Sequence, residues 1–484
     1  MKNDFIFGSD HYVHIKYIDS FKLEEKKFGK IVLSHYNQKN AVYPVFFHWI
    51  IALFFYDTAK ESPKKINRFI SLISYVSFNL FYIIYFKEID FLFFIKSNIL
   101  FGIFPFSYAF WNAKNRGISP RGVGLLIGQI FTYVLLFYLL NPSFYLFSIL
   151  VLIAFLALIT SQFANQYIIF LSLILSIERG DMQFIFIPLL SVLCFYLMFP
   201  KLAISFYKGQ LFHKLNYARF LAPIFILKSR PGIYRDFFFD FWKKIKNFRK
   251  DKIGTINYIY TNPLLEIVYG FPFLWILVWN SFNKPINPLY IHFWELILIT
   301  ISIFFLTSFK KTRFLGEPQR YIEFIIPLIV VQYVSTIENS VFWWSTGIVL
   351  FFVCTQQLLL YILINKKGNV SYPKYKHILS HIRKEDIVMS NDTNLSKFLM
   401  PHCSLVTIDL TRYYKNKKDF LNLTLNNYLI TSLEGLIHFR KKYKTSILIL
   451  NMDLYSVEEH DFLHKKMNLQ EIAKYNEIII YYVY

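Results

Sequence analysis

The chain has 484 residues, of which 55% are hydrophobic and 20% aromatic, and its formal net charge is +22. This composition excludes a protein that is soluble throughout, because apolar runs such as 143–160 reach the roughly 18 to 20 residues that a helix needs to cross about 30 Å of hydrocarbon. The cysteines, Cys194, Cys354 and Cys403, are scattered, which indicates neither a disulfide framework nor a thiolate metal site.

A polar segment, residues 1–43, precedes the first apolar run. If residues 10–22 form a helix, Asp10 and His14 are four positions apart and share one face, and His11 and His14 do so at a spacing of three. A carboxylate and imidazoles in this arrangement could hold a divalent cation or share a proton. The alternative is an amphipathic helix at the membrane surface whose polar face happens to carry histidines.

The apolar runs that follow are continuous rather than alternating, so they predict helices and not the strands of a barrel. We expect a polytopic α-helical membrane protein with about 11 spans within residues 44–365. The predicted spans lie near residues 44–57, 69–86, 91–110, 122–140, 143–160, 165–178, 182–199, 264–280, 289–308, 321–335 and 342–365.

Lysine and arginine concentrate in alternate loops, most densely in the basic loop 200–263. The positive-inside rule places these loops in the cytoplasm, together with the region after residue 366. The same alternation places residues 1–43 outside, where a lysine-rich tail would cross the membrane with no preceding span. Either this tail is translocated or, as we expect, a first helix is missing from the chain as given. The loops account for the net charge, so we expect membrane lipids and no nucleic acid among the partners.

Two further regions have a recognisable pattern. The stretch "RDFFFDFWKKIKNF" in the basic loop interleaves aromatic and basic residues, which is typical of an amphipathic helix on an anionic membrane leaflet. Residues 366–484 alternate between helix and strand patterns and predict a small soluble α/β domain with a partly parallel sheet. Its last segment, "YNEIIIYYVY", is expected to be an edge or terminal strand.

Among the carboxylates in or beside the predicted spans, four are candidates for function. Glu88 and Asp90 belong to the short loop "FKEID", predicted to lie outside, and by themselves are typical of a solvated loop. Glu295 and Glu323 fall inside predicted spans, where a buried carboxylate is costly. Each of these two could serve function or could join helices through a hydrogen bond.

The N-terminal sequence resembles a known family. The stretch "SDHYVHIKYIDSFK", followed by "YPVFFHWIIALF", resembles the first outer loop and second span of GT-C superfamily membrane glycosyltransferases, which include oligosaccharyltransferase catalytic subunits and polyprenyl-phosphate-sugar transferases. The likeness rests on Asp10, on Tyr12 with His14, and on a Tyr43-Pro44 entry with His48 beyond, although Val45 replaces a second proline. Weaker matches are "ISPRGVG" (118–124), "TSQFANQ" (160–166) and "GEPQRYIEFIIP" (316–327).

The resemblance implies a site outside the membrane in which Asp10 is a catalytic base or a metal ligand. A second acid would come from Asp90 or Glu88. Tyr43 and His48 would lie on the substrate-binding side. Arg320 and Tyr321 are similar to an Arg-Tyr entry near the carrier phosphate, but the charge pattern places them in the cytoplasm, opposite Asp10.

The implied function is transfer of a sugar or oligosaccharide from a polyprenyl-linked donor to a glycan, lipid or protein acceptor in cell-surface glycan synthesis. The implied enzyme is a multi-pass protein of the plasma (inner) membrane with a cytoplasmic C-terminal domain. A divalent metal, Mg or Mn, is possible, with Asp10, His11 and His14 as its ligands. The alternatives are a transporter or flippase of lipid-linked glycans and a non-catalytic member of the family.

Overall fold

The computed structural model describes residues 10–23, 28, 44–86, 90–108, 117–216, 218–220, 237–250, 255, 258–259, 262–281, 290–309, 312, 315, 317–367, 377–406, 418, 422–425 and 427–484. Within these ranges the protein is mostly helical, and a small sheet follows near the C-terminus. By length and composition, four of the described helices could cross a membrane, and a bent pair of helices could form a fifth span.

The first ten helices run from the N-terminal segment into the basic loop. They are α1 (Asp10–Lys22), α2 (Phe46–Phe54), α3 (Tyr56–Glu61), α4 (Pro63–Tyr85), α5 (Phe91–Ile103), α6 (Arg121–Leu140), α7 (Phe144–Thr160), α8 (Gln162–Arg179), α9 (Gln183–Met198) and α10 (Pro200–Asn216). Local chemistry fixes several of their ends. Pro63 begins α4, where its missing N–H costs nothing, and Gly180 ends α8 in the left-handed conformation.

The next helices complete the membrane part. They are α11 (Phe237–Lys246), α12 (Pro263–Gly270), α13 (Pro272–Ser281), α14 (Ile291–Ser308), α15 (Gln319–Ile322), α16 (Ile326–Thr336) and α17 (Asn339–Lys367). The axes of α12 and α13 meet at 78°, and a 3₁₀ turn, Glu323–Ile325, separates α15 from α16. The predicted spans 264–280 and 321–335 are therefore both interrupted.

The predicted span 44–57 is wrong as a single crossing. The segment contains two short helices instead, α2 with nine residues and α3 with six. The helical conformation is interrupted between them at Phe55. At 1.5 Å per residue neither helix reaches the roughly 30 Å of a hydrocarbon core. The total of about eleven spans is accordingly not confirmed.

The helical bundle has two ends, and α4 separates them. Its 23 residues extend for about 34 Å. At its beginning, the Asn67 amide donates to the Gly117 carbonyl at 2.9 Å, and α1 packs nearby. At its other end, the Tyr85 ring lies 5.1 Å from that of Phe293 near the start of α14. We call these the domain end and the far end, because the C-terminal domain packs at the first.

The C-terminal domain contains three described helices and seven strands. The helices are α18 (Thr393–Leu399), α19 (Leu433–Tyr443) and α20 (Val457–Met467), and the strands are β1 (Ile387–Ser390), β2 (Ser404–Val406), β3 (Thr424–Leu425), β4 (Asn427–Thr431), β5 (Ile447–Asn451), β6 (Leu469–Tyr475) and β7 (Ile478–Val483). Five strands form one sheet in the order β2-β1-β5-β7-β6, and β3 pairs with β4 separately.

The predicted partly parallel sheet is confirmed. Strand β1 runs parallel to β2 and β5, whereas β7 is antiparallel to both β5 and β6. Alternate residues of β5 enter hydrophobic clusters on opposite faces, which explains its continuous apolar run. The final strand β7 lies inside the sheet, and β6 forms the edge, so the C-terminal segment is a terminal strand but not an edge strand.

Helix α1 joins the C-terminal domain to the bundle. The Tyr12 ring meets the Phe398 ring of α18 edge to face, with centroids 5.1 Å apart. On another part of α1, Asp19 pairs with Lys60 of α3 at 2.8 Å. The sequence-based placements of 1–43 outside and of the C-terminal domain in the cytoplasm therefore cannot both hold, because α1 and the domain share one end. The two placements conflict because the predicted span 44–57, which put them on opposite sides, is replaced by the two short helices α2 and α3.

Candidate functional site

Two of the predicted site histidines meet between α1 and α2. The His14 Nδ1 and His48 Nε2 atoms lie 2.9 Å apart, and both side chains are buried. One ring must donate and the other accept, so both imidazoles cannot be fully protonated while this hydrogen bond exists. The Tyr17 ring covers His48 at 4.9 Å between centroids. The pair is therefore a shielded imidazole couple that could take up one proton.

His11 faces a different partner from His14. Its Nδ1 accepts a hydrogen bond from the Ile118 N–H at 3.1 Å. Gly117 makes this approach possible, because its φ is +114° and an added Cβ would lie 2.8 Å from the His11 Cβ. Burial lowers the pKa of His11 to about 4, so the ring is neutral at pH 7.

The predicted metal ligands do not converge in the described part of the chain. No group of three His, Cys, Asp or Glu side chains is placed there to hold an ion. Asp10 begins α1, but its side chain lies outside the described residues, as does Tyr43. The Nδ1 atoms of His11 and His14 are each occupied by another hydrogen bond.

The predicted second acid lies at the far end. Asp90 caps α5, and its Oδ1 accepts from the N–H groups of Leu92 at 2.8 Å and Phe93 at 3.2 Å. Glu88 lies outside the described residues. Because the length of α4 lies between α1 and Asp90, the structure does not bring Asp10 and Asp90 together.

Arg320 lies at the domain end, on the same side as α1. Its guanidinium pairs with Glu317, and Nη1 of Arg121 lies 3.8 Å from the same carboxylate. Arg121 begins α6, three residues after the Ile118 that contacts His11. The sequence-based prediction that Arg320 and α1 lie on opposite sides of the membrane is therefore wrong. The cause is again the predicted span 44–57, which is not a single helix.

Buried polar groups extend from Arg320 into the bundle. Gln319 donates to Glu266 of α12 at 2.7 Å, and the Tyr321 hydroxyl donates to Gln166 of α8 at 3.3 Å. We call the set the polar cluster; its members are Arg121, Gln166, Glu266, Glu317, Gln319, Arg320 and Tyr321. Sequence reasoning singled out Arg320 and Tyr321 but missed the others as site residues. Most of them lie within the weakly matching motifs, which was the available signal, and Glu266 lies inside the predicted span 264–280, where a carboxylate is costly.

The polar cluster has the chemistry of an anion site. Two guanidinium groups lie beside one carboxylate, and the planar set of five N–H donors on a guanidinium suits phosphate oxygens as well as carboxylates. Arg320 is 8% exposed, and the Arg121 side chain is 40% exposed, so one cation is held inside and the other reaches the surface. Glu323, inside a predicted span, is also buried beside this cluster, in the 3₁₀ turn between α15 and α16.

Glu295, the other carboxylate inside a predicted span, belongs to the far end. It accepts from Arg179 Nε at 2.6 Å and contacts His292 Nδ1 at 2.9 Å. These contacts join α8 to α14, which accounts for a carboxylate at this position by helix packing.

A comparison with known protein families gives no match for this chain, and a comparison with curated proteins gives none either.

Proposed function

We propose that this protein is a membrane glycosyltransferase that moves a sugar or oligosaccharide from a polyprenyl-linked donor to a glycan, lipid or protein acceptor, with its transfer centre at the domain end. One observation carries the proposal. The segments that resemble GT-C enzymes, namely α1, 118–124, 160–166 and 316–327, are far apart in sequence and meet at this end.

The residues at this end have the chemistry that such a transfer requires. Departure of a phosphate or pyrophosphate needs positive charge on its oxygens, which Arg320 and Arg121 would provide. Activation of the acceptor hydroxyl needs a base, and the His14–His48 pair contains a neutral imidazole suited to it. Asp10, at the start of α1, is the alternative base. Asp90 has no part in this centre, because it caps α5 at the far end.

A resident divalent metal does not enter the proposal. Mg and Mn favour oxygen ligands, whereas the described candidates around α1 are imidazoles. The Nδ1 atoms of His11 and His14 are also used by Ile118 and His48. These groups do not fit a magnesium or manganese site, so no step is assigned to a metal.

We also propose a membrane arrangement of ten passes in the plasma membrane. The passes are α4, α5 together with the 3₁₀ turn Pro105–Tyr108 that continues it, α6, α7, α8, α9, the α12–α13 pair, α14, the α15–α16 pair and α17. Basic loops cluster at the domain end, which supports a cytoplasmic position for that end and its C-terminal domain. The resemblance implies an outer site instead. Protease accessibility of the domain in sealed cells measures the side directly, and an outer position would overturn the cytoplasmic placement while leaving the transfer centre intact.

Transport of a lipid-linked glycan is the second candidate, and the interrupted helices favour it. The bend between α12 and α13 and the 3₁₀ turn between α15 and α16 lie in neighbouring segments, which Glu266 and Gln319 connect. Discontinuous helices with buried polar groups near the breaks are common at the substrate sites of transporters.

The test is to express Arg320→Gln in cells that depend on the protein and to measure both surface glycan and lipid-linked donor. Loss of a group that stabilises leaving-group charge is expected to lower transfer roughly 100-fold or more, so donor accumulates. The matched control is Asp90→Asn, which keeps a capping side chain and should retain glycan. Glycan that persists in Arg320→Gln and disappears in Asp90→Asn would overturn a transfer centre at the domain end. Donor trapped on its leaflet of synthesis would favour transport.

A further inference from the structure

Helix α11, in the basic loop, presents an apolar stripe that the described protein does not cover. Phe238, Trp242 and Ile245 follow each other at spacings of four and three, so they lie along one face. Phe238 is 77% exposed, Trp242 70% and Ile245 41%, and the adjacent Phe239 is 74% exposed. Exposing large apolar side chains to water to this degree is unfavourable in free energy, so we expect another molecule to cover this face in the cell.

A neighbouring face of α11 is attached to the segment that precedes α12. Phe237 is buried, and its carbonyl accepts from the Tyr258 hydroxyl at 3.5 Å. The Lys244 carbonyl accepts from the Thr255 hydroxyl at 3.0 Å. These contacts fix the rotation of the helix, so the exposure of the aromatic stripe is a property of the fold.

Helix α11 also lies where a membrane surface is expected. Asn262 caps α12 through the Leu264 N–H at 2.9 Å, and its side-chain amide lies 3.5 Å from the Tyr258 hydroxyl. Tyr258 therefore connects α11 to the first residues of the bent span, at the domain end. A helix attached to the beginning of a span is held near the level of the lipid headgroups.

Charge identifies the chemistry of the surface that covers the stripe. Lys246 and Lys243 lie along one border of the stripe, and Arg249 and Lys250 follow in the next turns, all of them exposed. Asp240 is the single acid of the helix. Aromatic residues on one face with lysines at its borders are typical of helices that lie in the interface of an anionic membrane. A basic border of this kind complements phosphate-bearing lipids.

We propose that α11 is an in-plane membrane anchor that selects anionic lipids, with its aromatic stripe at the acyl boundary and its lysines on the headgroup phosphates. This function does not depend on sugar transfer. It adds a lipid-binding site attached, through Tyr258 and Asn262, to the span that carries Glu266.

The depth of the helix is tested with the full chain in phosphatidylcholine and phosphatidylglycerol nanodiscs that contain brominated lipid, which quenches nearby tryptophan. The wild-type protein is compared with Trp242→Phe, which preserves an aromatic side chain. We expect the difference between their spectra, which isolates Trp242, to be strongly quenched. A Trp242 contribution that bromine leaves unchanged would place the stripe outside the membrane, against a protein or in water, and would overturn the proposal.

Lipid selection is tested by the ratio of phosphatidylglycerol to phosphatidylcholine that the purified full chain retains. Each lysine near an anionic surface adds about fivefold in binding, so Lys243→Gln with Lys246→Gln should lower the preference roughly 30-fold. The matched control is Lys441→Gln with Lys442→Gln, two exposed lysines of α19 in the C-terminal domain. An equal loss in both double variants, or no loss in the first, would contradict a selective site on α11.

Discussion

The two ends of the helical bundle handle charge differently. At the far end, Arg179 and Glu295 pair across two helices with side chains 31% and 13% exposed, near water. At the domain end, Glu266, Gln319 and Arg320 are almost fully buried, each at 8% exposure or less. A buried polar group destabilises the fold unless its partners satisfy it, so a cluster of them is retained where it serves a purpose beyond packing. This difference directs the search for function to the domain end.

The ends also differ in what covers them. Short turns such as 141–143 and 180–182 connect helices at the far end. At the domain end, α1, α2 and the C-terminal domain pack over the bundle, and α18 holds α1 through Phe398 and Tyr12. A layer of separate elements can move away from a buried site and return, whereas a short turn cannot. The predictions below test how firmly this layer is attached, in order of decreasing expected effect.

Removing the contact between α1 and the C-terminal domain should have the largest effect. Phe398 is 3% exposed, and Phe398→Ala would leave a cavity beside Tyr12, at a cost of about 3–5 kcal/mol. Faster hydrogen exchange of the α1 amides, measured by mass spectrometry, would show that the layer loosens. The control is Phe462→Ala on α20, which is 43% exposed and should cost less than about 1 kcal/mol. Unchanged α1 exchange in Phe398→Ala would mean that the domain does not hold the helix.

A pair of glycines tests the close packing around His11. Gly117 and Gly180 both have positive φ, +114° and +62°, but a Cβ on Gly117 would press on His11, whereas nothing lies within 4 Å of one on Gly180. Gly117→Ala combines backbone strain with overpacking and should cost about 2–4 kcal/mol. Gly180→Ala has only the strain and should cost about 1 kcal/mol. Thermal unfolding in detergent measures both, and equal losses would contradict the tight contact at the domain end.

Local sequence pattern was enough for some of this architecture. The expected helix 10–22 agrees with α1, because apolar residues at helical spacing, Ile15, Ile18 and Phe21, indicate a helix with one apolar side. The partly parallel sheet could also be predicted from sequence, since the apolar run of β5 lies between helical patterns. The end of α2 at Phe55 could not be predicted from sequence, because an apolar run does not show where tertiary packing ends a helix.

That one break had a large consequence for the site. Sides of the membrane alternate from loop to loop, so one false span moved α1 to the wrong end and separated it from Arg320. The histidines could be recognised from their spacing, and His48 from the resemblance. The hydrogen bond between Glu266 and Gln319 joins residues 53 positions apart, and only the packing of two interrupted helices brings them together.

Acid should weaken the domain end through His11. Its pKa in the folded protein is about 4, below the ordinary value of about 6.5, so protons bind the unfolded chain more strongly. The stabilisation is complete near pH 7 and is lost as the pH falls from 6.5 towards 4, by about 2 kcal/mol at pH 5. His11→Asn keeps an acceptor, Oδ1, at the position of Nδ1 for the Ile118 N–H but does not titrate. The loss of stability between pH 7 and pH 5 should therefore be smaller by that amount in the variant, and identical losses would contradict a buried neutral His11.

The smallest effect is expected from the far end. Glu295→Gln removes the charge that faces Arg179 but keeps a side chain able to accept a hydrogen bond. Because this pair is partly exposed, water and salt screen its attraction. The substitution should therefore lower the free energy of unfolding by about 1 kcal/mol, and by less at high salt. Thermal unfolding at low and high ionic strength measures it, and surface glycan should be unaffected. If Glu295→Gln abolished glycan while the protein stayed folded, the far end would carry chemistry, and burial would no longer distinguish the functional end from the structural one.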